Sequence, residues 1–201
     1  DTDFLKPIPR NENKFIFKYH LQDKFIVLYS GNLGVSSNLD MILDLAKRTI
    51  DSDIVYLIIG EGARKKYFSE RIQEEKIKNC MMLPWQDASE INFSLASAHI
   101  SIVTSTMKGT SLSLPSKLFS IIAVGSPVLC FSTKGSELES VIENFRFGEC
   151  FLPESIDQAL SYIMKLKFNS EEYLKFTANA LKASKFFTPD NALMICEKSL
   201  P

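Results

Sequence analysis

The stretch "FIVLYSGNLGVSSNLDMILDLAKRTI", residues 25–50, decides the fold. Phe25 to Tyr29 run without a polar interruption. A strand buried on both faces reads this way. The run breaks at Ser30-Gly31-Asn32-Leu33-Gly34. An amphipathic pattern follows, with Leu39, Ile42, Leu43, Ala46 and Ile50 on one helical face. Ser37 and Asp40 have the spacing of a capping box at its start. Strand, glycine turn and helix together make the opening of a βαβ unit. The two glycines raise a question about what approaches the backbone here so closely.

Outward from this unit the pattern repeats. Apolar runs recur at 54–60 (IVYLIIG), 80–83 (CMML), 99–105 (HISIVTS), 127–131 (PVLCF) and 148–152 (GECFL). Helix-start signals lie between them at Asp87 with Glu90 and at Ser136 with Glu139. Leu138, Val141, Ile142 and Phe145 form one further apolar stripe. Six such alternations imply right-handed crossovers and an α/β, doubly wound, parallel six-stranded Rossmann-like sheet. Beyond the sixth run the chain reads as C-terminal helices. One opens at Ser155 with Ile156, Leu160 and Ile163, one runs from Ser170 to about Phe187, and a last begins at Thr188-Pro189. The expected organisation is a lead-in or interdomain linker at 1–24, the sheet domain at 25–187, and a final helix at 188–201.

The chain has 201 residues and a formal net charge of −1. No global field therefore recruits nucleic acid or a membrane surface, and any bound anion must be held by local groups. Cys80, Cys130, Cys150 and Cys196 show no CxxC spacing and read as reduced thiols, as in a cytoplasmic protein. The longest apolar stretch, "LFSIIAVGSPVLCF", is too short to span a bilayer and is broken by Gly125 and Pro127. No run of residues has the form of a secretory signal.

In open parallel sheets, ligands bind beyond the C-terminal strand ends, where the winding reverses. The loop Gly31-Asn32-Leu33-Gly34 falls there. It is not GxGxxG, so a nicotinamide site loses its main support. It is either a structural turn or a phosphate contact. After the second strand come Gly60, Gly62 and then Arg64, Lys65 and Lys66. The bland alternative is a turn with a solvated helix start. After the fourth strand, a hydroxyl-rich loop ends in Ser113-Leu114-Pro115-Ser116-Lys117. A lysine in a helix's first turn opposes the dipole unless an anion lies between them. Lys117 is accordingly the most informative charge in the chain. Leu83-Pro84-Trp85 places the sole tryptophan in a sheet-end loop, where it either flanks a base or simply packs. No DxD or histidine cluster points to a metal, and His20 and His99 are poor catalytic candidates.

The ordered set "YSGNLG … LIIGEGARKK … NCMMLPWQ … ASAHISIV … LPSKLFSIIAVGSPVL … KGSELESVIE … FGECFLP" resembles the C-terminal, nucleotide-sugar-binding domain of GT-B glycosyltransferases, family 4. The resemblance covers about residues 20–165 and implies a role for each loop. Gly31 to Gly34 would line the donor diphosphate, and Gly60, Gly62 and Arg64 the nucleotide side of the cleft. Leu83, Pro84 and Trp85 would border the base. Ser113, Leu114, Pro115, Ser116 and Lys117 would hold diphosphate and sugar, with Glu137 near the pocket edge. Two glutamates usual in the family fall at Leu112 and Ser120, where both are lost. Serine at 120 keeps one hydrogen bond to the ribose but not a charge-assisted contact.

The resemblance implies the donor half of a retaining glycosyltransferase, taking a nucleotide diphosphosugar, UDP most commonly. The acceptor would be a hydroxyl in cell-surface polysaccharide synthesis, and no metal or other cofactor is needed. The acceptor pocket would come from an N-terminal domain of the same parent, so this chain alone is expected to transfer nothing. The rival readings are a non-catalytic nucleotide-sugar-binding module and a nucleotide-sugar epimerase domain.

Overall fold

In a computed structural model the chain is described over residues 4–34, 39–105 and 114–187. The expected helix at 188–201, the cap residue Ser37 and the candidate Ser113 lie outside the described residues. Six strands form one parallel sheet: β1 (Phe25–Ser30), β2 (Ile54–Ile59), β3 (Cys80–Leu83), β4 (Ile100–Thr104), β5 (Val128–Phe131) and β6 (Gly148–Phe151). Their order is β3-β2-β1-β4-β5-β6, and every neighbouring pair is parallel. This is the doubly wound arrangement, with its switch point between β1 and β4. All six residues of β2 are buried, whereas the edge strands β3 and β6 are partly exposed.

Alternation divides β1 between two layers. Phe25, Val27 and Tyr29 join one core with Ile42 and Ala46 of α2 (Asp40–Arg48), together with Tyr162 and Ile163 of a C-terminal helix. Ile26 and Leu28 join the other. On that side lie α1 (Lys14–Lys18), α4 (Ala88–Ala96) and α5 (Lys117–Ala123), while α3 (Lys65–Glu74) follows β2. The remaining helices are α6 (Glu137–Phe145), α7 (Ile156–Phe168) and α8 (Ser170–Phe186). Ile50 falls beyond the end of α2, and Thr49 is buried at that helix end instead.

Two start signals behave differently. Ser136 caps α6 by accepting from Glu139 N–H at 3.1 Å, and the Glu139 carboxylate accepts from Gly135 N–H. Asp87 makes no such bond at α4. Its intended partner Glu90 is drawn to Lys14, 2.6 Å away.

That ion pair lies in the lead-in, which packs against the sheet domain. Leu5, Phe15, Ile16 and Leu21 are core residues. Asn13, 0% exposed, accepts from Phe15 N–H and Ile16 N–H and donates to Phe93 O at 2.9 Å. The Arg10 guanidinium donates to Ser97 O at 3.0 Å and Leu21 O at 3.2 Å. These groups satisfy backbone carbonyls and clasp the lead-in to α4. Asn13→Ala should lower the unfolding free energy by about 1–2 kcal/mol, the usual value of a helix cap, as read from denaturant midpoints. An unchanged midpoint would show that the lead-in frays independently of the sheet.

Candidate functional site

A cleft of about 390 Å³ opens over the C-terminal ends of β1 and β2, at the switch point. Small-molecule sites begin at about this size. Ser30 and Gly31 form its floor with Ile59. Trp85 and Gln86 stand on the side of β3, and Ile91, Ser94 and Leu95 come from α4. Pro115, Ser116, Lys117, Ser120 and Ile121 close the side of α5.

The loop glycines answer to each other. Gly31 N–H donates to Ile59 O at 3.0 Å and Leu33 N–H to Glu61 O at 2.8 Å. Arg64 N–H in turn donates to Leu33 O at 2.9 Å. The loops after β1 and β2 are thus zipped together. Gly62 has φ +149°, and a Cβ there would lie 2.7 Å from Asn32 Oδ1. A Cβ on Gly60 would overlap the Gly31 carbonyl oxygen. What approaches these backbones is the neighbouring loop. At Gly31 it is also Lys117, whose Nζ would sit 3.1 Å from an added Cβ.

Lys117 is the charge at the floor of the cleft. Its ammonium lies 4.0 Å from the centre of the Tyr29 ring, whose hydroxyl donates to Asn32 O at 3.0 Å. Among the described residues no carboxylate lies within ion-pair distance of it. Burial without a counter-charge pulls its pKa down to about 8. Trp85 is 55% exposed, so its indole faces the opening instead of packing in the core.

Of the residues singled out in the sequence, Gly31, Asn32, Trp85, Pro115, Ser116, Lys117 and Ser120 line this cleft. The others do not. Leu33 is a core residue, and Leu114 packs against the hydrophobic cluster beneath α5. Gly34, Gly60 and Gly62 lie outside the lining, as do Leu83, whose carbonyl accepts from Gly60 N–H, and Pro84, whose carbonyl accepts from the Gln86 amide. Glu137 opens α6, away from the cavity. Arg64 is turned to Asp40 at 3.0 Å and stacks over Tyr67 and Phe68. Burial raises the Asp40 pKa, but bonds from Tyr67 and Arg64 and the nearby Arg71 charge outweigh it and leave a net lowering.

Sequence reasoning missed Ile91, Ser94 and Leu95, which share one face of α4 at helical spacing, and Ile121, one turn beyond Lys117. His99 is structural. Its Nδ1 accepts from Ile26 N–H at 2.9 Å, at the opposite strand end from the cleft, and its ring stacks on Phe25. Burial, aided by Arg10 and Lys167, pulls its pKa down to about 3, which keeps it neutral. Among the described residues no group of three His, Cys, Asp or Glu side chains is placed to hold a metal. No described helix is long and apolar enough to cross a membrane.

Comparison with known proteins places this architecture. WcaI of Escherichia coli (strain K12), a glycosyl transferase assigned to colanic acid biosynthesis, is 28% identical over 142 residues. That match covers 70% of this chain and 35% of WcaI. WbjE of Pseudomonas aeruginosa, also named a glycosyltransferase, is 25% identical over 142 residues, with 36% of its length covered. The chain therefore spans about a third of these relatives. HepE of Anabaena, solved with UDP-glucose, superposes with a TM-score of 0.77 at 14% identity, over 92% of this chain and 50% of HepE. The C-terminal domain of the glycosyl transferase group 1 protein LpcC from Francisella tularensis gives 0.74 at 18% identity, over 93% of this chain and 97% of that domain. At such identities the superpositions speak for the fold, a Rossmann-like half of the GT-B type. The model of the family "Glycosyl transferases group 1" matches residues 11–183, and the chain belongs to that family.

Proposed function

We propose that this chain is the donor half of a retaining glycosyltransferase. It binds a nucleoside diphosphate sugar, a UDP-sugar first, for transfer to a hydroxyl in cell-surface polysaccharide synthesis. One observation carries the reading: a half-buried ammonium, with no carboxylate partner among the described residues, sits at the floor of the cleft. The UDP and UDP-glucose held by HepE support uridine, and the colanic acid assignment of WcaI supports the polysaccharide setting.

In this reading the diphosphate lies against Lys117 and Ser116, and the base leans on Trp85. The N–H groups of Gly31 and Leu33 are already spent within the fold, so the loop after β1 supplies shape more than hydrogen bonds. As the bond from the sugar carbon to the diphosphate oxygen breaks, negative charge gathers on the leaving diphosphate. A pre-positioned ammonium, itself largely buried, stabilises that charge without reorganising. The acceptor hydroxyl and the groups that activate it belong to an N-terminal domain of the parent, a cytoplasmic protein. This chain alone binds donor and transfers nothing.

Titration calorimetry with UDP-glucose tests the reading, and no detectable heat at millimolar ligand would reject it. The affinity carries a pH signature. An anion bound beside Lys117 favours its protonated form. Binding should hold steady below about pH 7 and weaken as pH rises through 8, toward tenfold per unit. A non-catalytic donor-binding module is the second reading, favoured by the absence of a carboxylate among the described residues of the lining. Turnover of any nucleotide sugar by the full-length parent excludes it.

A further inference from the structure

Lys117 differs from many of the chain's lysines in what its amine touches. Lys14, Lys47, Lys65 and Lys167 each hold a carboxylate oxygen within 3.0 Å. A carboxylate that close favours the protonated, unreactive form of an amine. The Lys117 amine lies instead over the Tyr29 ring and faces the cleft. Of the described residues lining that cleft, Lys117 is the one that titrates. The Tyr29 phenol beneath it is the other titratable group at this spot, and its hydroxyl is engaged with Asn32 O.

An amine attacks carbon only in its neutral form, and desolvation in a pocket is what supplies that form near neutral pH. Burial lowers the Lys117 pKa to about 8, so about a tenth of the molecules carry it neutral at pH 7. For a lysine at the ordinary 10.5 that fraction is roughly 300-fold smaller. A compact acyl group also has somewhere to go. The cavity of about 390 Å³ opens beside the amine, and Ile91, Leu95 and Ile121 give it apolar walls. The product is an uncharged amide, so acylation removes the cost of a charge taken out of water.

We propose that Lys117 is an acylation site, at which a small acyl phosphate transfers its acyl group to Nζ. Nζ attacks the carbonyl carbon and a C–N bond forms. The bond from that carbon to the phosphate oxygen breaks, and inorganic phosphate leaves with the electron pair. The proton shed by the amine passes to water. The stem stays over Tyr29 while its positive charge is lost, and with it the attraction for a diphosphate. Acylation thus switches off donor binding. That consequence rests on the nucleotide-sugar reading, whereas the acylation itself does not.

Acetyl phosphate is the probe. The chain is incubated with it at pH 7.5, with and without UDP, and acetylation of each lysine is followed by peptide mass spectrometry. We expect Lys117 to react at least about tenfold faster than Lys14 and Lys47, with a rate that levels off above about pH 8. UDP at ten times its dissociation constant should slow Lys117 about tenfold and leave Lys14 and Lys47 unchanged. Chain acetylated at Lys117 should then give no heat with UDP in calorimetry. Equal rates at the three lysines, or an unchanged UDP affinity after acetylation at Lys117, overturn the inference and leave nucleotide binding standing. Fast acetylation at Lys117 in a chain that binds no UDP upholds the acylation site and rejects the nucleotide-sugar reading alone.

Discussion

If the proposed donor site is correct, Lys117→Met should weaken UDP-glucose binding by about 10- to 150-fold, the span of charge-assisted hydrogen bonds. It raises the stability of the free protein in the same experiment. Methionine keeps the stem that crosses Gly31 and Tyr29 but removes the charge. The sign of the stability change follows from the pKa. Burial lowers the folded value to about 8, below the 10.5 of the unfolded chain. Below pH 8 both states carry the proton, and the folded state bears the full cost of an unpaired charge. Between about 8 and 10.5 the unfolded state binds more protons, so wild-type stability climbs with pH. The variant lacks that climb and begins higher, by about 1–3 kcal/mol at pH 7. Denaturant unfolding at pH 7 and pH 10 measures both quantities. A structural lysine would give the opposite result, with lower stability and unaltered affinity. That pair of results would remove Lys117 from the site.

Gly60→Ala destabilises the fold by about 3–5 kcal/mol, combining overpacking against backbone with an unfavourable dihedral. The residue has φ +158°, and its missing Cβ points at the Gly31 carbonyl oxygen. Its N–H is meanwhile tied to Leu83 O at 3.1 Å. Held on both sides, the residue cannot retreat. The neighbouring loop must move, and Gly31 moves with it. Nucleotide affinity should therefore fall along with stability. An alanine variant as stable as wild type would show that the two loops are less tightly zipped than described. Gly135 is the natural control, since its φ is also positive but an added Cβ meets nothing within 4 Å.

The strands were legible because burial on both faces writes itself as uninterrupted apolar runs. The parallel, doubly wound character of the sheet followed from connection rules, whereas the strand order came from the structure. Side-chain pairing over long range was not legible. Arg64 sits where a nucleotide-side cation was expected, but Asp40, 24 positions earlier, claims it. Glu90 has the spacing of a capping partner and bonds Lys14 instead. The packing of the lead-in was hidden because Pro, Asn and charge dominate its sequence. Those same polar groups, Arg10 and Asn13 above all, are consumed by carbonyls that a sequence does not display. Gly31, Gly60 and Gly62 do mark close approaches, here of loop to loop, and local sequence does not name the partner. Trp85 was ambiguous for a related reason, since exposure is a property of the whole surface around a residue.

The indole of Trp85 has a practical consequence. It is the chain's single tryptophan, and it stands at the mouth of the cleft, more than half in water. The chain thus carries its own fluorophore at the mouth of the proposed donor cleft, with no second tryptophan to dilute a signal excited above the tyrosine band. A base settling on that ring would quench its emission and shift it to the blue. Donor capture can then be watched in unlabelled, unmodified protein at concentrations far below those that calorimetry requires.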